Sequence, residues 1–139
     1  MTPNAFSHLS LDGTMVTDPA ATAFAAADFG GIVNHPPLAV LRAGSAADIE
    51  AVLPVAAASN ITVVPRGCGH TGLGQAQALD GLVIDLTALN EVHDLTEDQV
   101  TVDAGATWNS LLARTLRHGL TPRVLTDYLG ISVGGTLSV

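Results

Sequence analysis

Residues 65–77 read Pro65-Arg66-Gly67-Cys68-Gly69-His70-Thr71-Gly72-Leu73-Gly74-Gln75-Ala76-Gln77, with four glycines between positions 67 and 74 and a histidine among them. The apolar run Ile61-Thr62-Val63-Val64 leads into this segment, so the loop leaves the end of a strand. Glycine admits positive φ and lets main-chain N–H groups come close to a ligand. A loop built this way can cradle an anion with backbone donors alone. No helical apolar period follows Gly74, which argues against a Gly-x-Gly-x-x-Gly dinucleotide turn. Two readings stay open on the residues alone: a tight turn between strands, or an anion cradle. His70 is likewise either a loop histidine bonded to a neighbouring carbonyl or a group held for chemistry.

Composition narrows the function classes. The chain has 139 residues, the size of one domain, and 47% of them are hydrophobic, enough for a packed core. Five basic residues stand against 13 acidic ones, for a net charge of −8. That balance argues against a nucleic-acid partner and against an anionic membrane surface. The single cysteine, Cys68, excludes an internal disulfide. Neither a signal peptide nor an apolar run of spanning length is present, and a cytoplasmic location is expected.

Along the chain, Asp12-Gly13-Thr14 and Asp18-Pro19 are turn signals, and the alanine-rich stretch 19–29 predicts a short helix. Leu38–Arg42 reads as a strand. Ser45 with Asp48 imitates a capping box for a helix over 46–59, with Pro54 as a kink or restart point. Strands are expected at 61–64 and 81–86, and a hairpin at 90–95 and 99–103 with an acidic, solvated edge. Thr107 caps a helix over 108–118 with Trp108 on its core face, and Gly119 ends it. The tail, Gly134-Gly135-Thr136-Leu137-Ser138-Val139, reads as a glycine-rich loop and strand. Such an alternation defines an α+β (α/β-like) domain. His8, His35, His93 and His118 lie at no metal-ligand spacing, and no metal site is expected. Cys68 reads as loop filler and Asp127 as a cap or turn residue, unless a site claims them.

Two stretches together carry a family resemblance. The first is Arg66-Gly67-Cys68-Gly69-His70-Thr71 with Gln75-Ala76-Gln77 and Asp85-Leu86. The second is Trp108…Leu112…Leu116…His118-Gly119-Leu120-Thr121-Pro122, then Thr126-Asp127-Tyr128-Leu129 and Val133-Gly134-Gly135-Thr136-Leu137-Ser138. They resemble the FAD-binding domain of the vanillyl-alcohol oxidase type (PCMH-type), closest to cytokinin dehydrogenase-like FAD-linked oxidases, over residues 35–139. Residues 1–34 would be an N-terminal extension with a short helix.

The resemblance implies an N-terminal βαβ subdomain and the start of a second one. It implies FAD as cofactor, carried covalently by His70. Arg66, Gly67, Cys68, Gly69, Thr71 and Gln75 would form the diphosphate loop. Ser132, Gly134, Gly135 and Ser138 would pass close to the flavin. Asp127 would contact the cofactor region and act as base, taking a proton from a substrate N–H or O–H as hydride leaves the adjacent carbon; partial burial would raise its pKa. Cys68, Leu125 and Ser132 stand where the family commonly has Arg, Trp and Thr. The family also continues beyond Val139 with Asn-Ala-Gly, so the chain is expected to be an N-terminal fragment, inactive alone. Its partners are then FAD, a small-molecule substrate in the parent protein, and other copies of itself through uncovered apolar surface. The alternatives are a sugar or alcohol oxidase of the same superfamily, which would use a different base, and a truncated flavin-binding module without catalysis.

Overall fold

The computed structural model describes residues 3–138. A 3-10 turn at Pro3–Phe6 precedes strand β1 (Thr14–Val16). Helix α1 (Pro19–Thr22) starts at Asp18, whose carboxylate accepts the Ala21 N–H at 2.9 Å, with Pro19 in the first turn. A 3-10 turn over Ala23–Ala25 follows. The stretch 19–29 is therefore not one helix. The Asp28 carboxylate takes the N–H groups of Ile32 and Val33, and the Ala27–Asn34 bridge turns the chain back on itself.

Next come β2 (Ala39–Arg42), α2 (Ala46–Ala58), β3 (Val63–Arg66) and β4 (Leu82–Asp85). They form a mixed sheet in the order β1-β2-β4-β3, with β1 antiparallel to β2 and the other pairs parallel. The expected βαβ unit is thus present, with β4 inserted between its two strands. Ser45 and Asp48 complete a reciprocal capping box, and α2 runs unbroken through Pro54, which sits on its exposed face. β2 and β4 are buried on both faces, as parallel strands usually are. Leu41, Leu82 and Ile84 pack with Val52, Ala56 and Phe6 on one side, and Val40 and Val83 pack with Ala25 and Ala78 on the other.

The second part begins with the hairpin β5 (Val92–Leu95) and β6 (Val100–Val102), then α3 (Trp108–Leu116) and α4 (Val133–Ser138). Thr107 caps α3 by accepting the Ser110 N–H. Trp108, Leu111 and Val133 form its core with Val92, Val100, Val102, Leu129 and Ile131 around them. The tail expected as loop and strand is helical over Val133–Ser138, while Val139 lies outside the described residues. Glycine is a poor helix former, but tertiary packing decides here. The Gly134 N–H donates to Ala104 O at 2.9 Å, and a Cβ at 134 would lie 2.6 Å from the Ala104 methyl, so the helix seats only with glycine there. Among the described residues no helix is long and apolar enough to cross a membrane.

Asp48 holds the first part together. Its carboxylate is buried and accepts N–H groups of Asp12 (2.7 Å), Gly13 (2.8 Å), Gly44 (2.8 Å) and Ser45 (3.3 Å). Burial pushes its pKa up, but the four donors outweigh burial and hold it below the ordinary carboxylate value. A depressed carboxylate stabilises the fold above its unfolded pKa and loses that contribution as pH falls through the folded value. Asp48→Ala should cost about 3 kcal/mol in urea unfolding at neutral pH, since it strands several buried donors. The variant should lose less stability than the wild type between pH 4 and pH 2, because the wild type alone has this carboxylate to protonate.

Candidate functional site

Where β3 ends, the glycine loop turns along a cleft of about 600 Å³ between the two parts of the molecule. One wall is Gly67, Cys68, Gly69, His70, Thr71 and Gln75. The facing wall is Ile131, Ser132, Gly134, Gly135, Thr136 and Ser138, and Leu86 and Ala104 also line the cleft. The two motifs, more than fifty residues apart in sequence, therefore meet across one space.

Sheet register and helix packing fix both walls. Parallel pairing of Arg66 with Asp85 delivers the backbone to Gly67. The Thr107–Ser132 bridge and the Trp108 Nε1–H to Thr136 Oγ bond (2.9 Å) fix the other wall. Trp108 is thus core, as expected, and also the anchor of the wall residue Thr136. The walls touch at Gly67, where a Cβ would collide with Ser132 Oγ. Gly69 has φ +70°, and a Cβ there would collide with the Arg66 guanidinium. The backbone N–H groups of residues 67–72 have no acceptor among the described residues, and neither has the Ser132 hydroxyl. Backbone polar groups are nearly always paired in folded proteins, with protein, water or ligand. Free donors on the five consecutive wall residues 67–71, opposite a free hydroxyl, suit a ligand rich in acceptor oxygens.

His70 lies at the edge of this cleft. Its ring stacks on Phe29 at 4.2 Å between centroids and tilts against Tyr128 at 5.0 Å. Tyr128 carries the Thr126–Leu129 motif to the histidine, and Gly130 leaves room for its ring.

Two residues named from the sequence stand elsewhere. The Arg66 guanidinium turns out of the cleft, donating to Phe24 O (3.1 Å) and Ala76 O (3.4 Å). Burial lowers its pKa and the nearby Asp85 carboxylate partly offsets this. Asp127 is exposed, not partly buried, and is not among the residues lining the cleft. Cys68 is an exposed thiol on the cleft wall, not filler in a packed loop. Phe29 and Thr136 were not singled out as site residues by sequence reasoning. An aromatic in the polar turn Asp28-Phe29-Gly30-Gly31 was the available signal for the first. Among the described residues no group of three or more His, Cys, Asp or Glu is placed to hold a metal.

The FAD-binding domain family matches residues 37–139, and the chain belongs to that family. It is 43% identical over 129 residues to an oxidoreductase of the fasciation locus of Rhodococcoides fascians, covering 93% of this chain and 30% of that protein. It is 45% identical over 143 residues to cytokinin dehydrogenase 10 of Oryza sativa, covering 95% of this chain and 26% of that protein. Cytokinin dehydrogenase 1 of Arabidopsis thaliana is 40% identical over 121 residues, which is 81% of this chain and 21% of that protein. The chain thus spans between a fifth and a third of the length of these relatives. FAD is the cofactor of this domain, and the cleft fits it: the unpaired N–H run suits a diphosphate, and the cleft is large enough for a sizeable part of the molecule.

Gly67→Ala should therefore narrow the cleft against Ser132, with a strain of about 1–3 kcal/mol to be relieved by moving a wall. We expect FAD binding to weaken by about tenfold or more. Adding Ser132→Gly to the same chain removes the colliding atoms and should restore part of the binding, short of wild type by the loss of the Ser132 hydroxyl, as read by titration of FAD fluorescence.

Proposed function

We propose that this chain is the FAD-binding part of a flavin-dependent oxidoreductase resembling cytokinin dehydrogenase, with FAD carried covalently by His70. The observation that supports this most is the meeting of the two motifs across one cleft, with free N–H donors along it and an imidazole packed against Phe29 and Tyr128 at its edge. Bound FAD would supply the acceptor for a hydride leaving a substrate C–H next to an amine or a hydroxyl. The chain's own residues do the rest. The N–H groups of 67–71 and the Ser132 hydroxyl would hold the cofactor's oxygens. Phe29 and Tyr128 restrain the His70 ring so that a nitrogen can be presented at the cleft edge.

Asp127, next to Tyr128 on the rim, would serve as the proton acceptor toward substrate entering over His70. Its exposure leaves the carboxylate free to meet such a substrate. Val124, Leu125 and Leu137 are exposed apolar residues on the same part of the molecule, and self-association through them is part of the proposal.

The purified chain should be yellow and stay yellow after acid precipitation, and its intact mass should exceed the sequence mass by one FAD. His70→Ala should release its flavin to the acid supernatant. A colourless wild-type chain that takes up no added FAD would refute the reading. The 139-residue chain by itself should show no dehydrogenase turnover of amine substrates, measured by dye reduction.

A further inference from the structure

Residues 24–35 lie before the stretch that matches the family, yet they hold the glycine loop at six points. Phe24 O accepts from Arg66 and the Phe29 N–H donates to Thr71 O (3.2 Å). Asp28 Oδ2 accepts the Leu73 N–H at 2.9 Å, while Oδ1 accepts Ile32 at 2.8 Å and Val33 at 3.2 Å. Val33 O accepts from Gln77 Nε2, and the side chains of Val33 and His35 lie against Gly74. The Phe29 ring stacks on His70.

Two of these contacts go beyond ordinary packing. Leu73 has φ +57°, a left-handed backbone that a leucine adopts only when its surroundings impose it. The bond from its N–H to Asp28 is such an imposition, and it secures the turn between Gly69 and Gly74, both also left-handed. Phe29 is 68% exposed, so burial does not account for its place; the ring contact it makes is with the His70 imidazole. Asp28 itself is buried. Burial raises its pKa, but donors from Val33, Ile32, Leu73 and Gly31 outweigh that and keep the carboxylate ionised and accepting.

We propose that Asp28 and Phe29 are positioning residues for cofactor binding: Asp28 holds the loop's N–H donors in register by imposing the left-handed turn at Leu73, and Phe29 fixes the His70 ring at the cleft edge. This rests on the flavin reading above. Neither residue lines the cleft itself; each acts through a residue of the loop.

The test is FAD titrated into flavin-free full chain, with flavin fluorescence as readout, and His70 ring-proton NMR shifts recorded on the same samples without FAD. Asp28→Asn keeps the shape but sets an amide N–H₂ against backbone N–H donors, and should weaken FAD binding by about tenfold. Leu73→Gly removes the backbone strain, so adding it to Asp28→Asn should recover most of that loss, which a general packing defect would not allow. Phe29→Leu removes an exposed ring without disturbing the core. It should move the His70 ring protons downfield by loss of the ring current and weaken FAD roughly three- to tenfold, while Phe29→Tyr behaves as wild type. If wild type binds no FAD, the flavin reading itself fails. If wild type binds FAD but Asp28→Asn binds equally well, or Leu73→Gly gives no recovery, the role of Asp28 is overturned and the flavin reading stands. If Phe29→Leu leaves the His70 shifts and the affinity unchanged, the role of Phe29 is overturned.

Discussion

The width of the cleft rests on one contact, the backbone of Gly67 against the hydroxyl of Ser132. Each side of that contact is fixed by a different device. Parallel register with β4 brings the chain to Gly67, and β4 is itself buried on both faces, so its register cannot slip without exposing Leu82 or Ile84. Ser132 is held by its bridge to Thr107 and by the helix turn that Trp108 anchors through Thr136. The two parts of the molecule therefore have separate cores but share one gap, and the gap has the size that two backbones and one hydroxyl leave. A cleft defined by main chain rather than by long side chains is stiff, which suits a site that must hold an extended ligand along its whole length.

Two buried carboxylates organise the first part of the chain in the same way. Asp48 gathers N–H groups from 12, 13, 44 and 45, and Asp28 gathers those of 32, 33 and 73. In each case an ionised side chain is kept in the interior by several backbone donors, which offset its desolvation. Both tie the N-terminal stretch to the βαβ unit. A domain of this size buries limited apolar area, and charge-assisted bonds between distant segments make its loops part of the cooperative fold. The hairpin has a weaker counterpart on its surface: His93 Nε2 lies 2.8 Å from Asp103 Oδ1, and this bond, with help from Glu91 and Asp94, raises the histidine's pKa.

What the sequence revealed follows the range of the forces involved. Local signals were legible: the Ser45–Asp48 box, Thr107 as a cap, the strand leading to Gly67 and the hairpin all depend on residues a few positions apart. The opposition of the two glycine motifs was legible only through family resemblance, since no local rule pairs Gly67 with Ser132. The tail departs from expectation because Gly134-Gly135 favours a loop, whereas packing against Ala104 makes it helical. The direction of Arg66 was not legible, because its guanidinium goes to the carbonyls of residues 24 and 76, one of them 42 residues away in the chain. The contacts of Asp28 and Phe29 with the loop, 45 and 41 residues downstream, have no local signal in the sequence.

That turn of Arg66 bears on how an acidic protein can hold an anion at all. With a net charge of −8 and five arginines, the long-range field opposes a diphosphate. Arg42, Arg66, Arg114, Arg117 and Arg123 are all absent from the cleft lining. In the proposed reading much of the attraction would come from fixed dipoles at close range, and unpaired N–H groups in a glycine loop are of that kind. Dipoles act only where their geometry is held, because a mobile loop would turn them to water instead. The same reasoning explains why the loop is bound at so many points by residues 24–35, and why its one strained non-glycine residue, Leu73, is fastened to a carboxylate. With no arginine lining the cleft, and the Arg66 guanidinium behind Gly69 turned to carbonyls, precision of the backbone is what would hold an anion there.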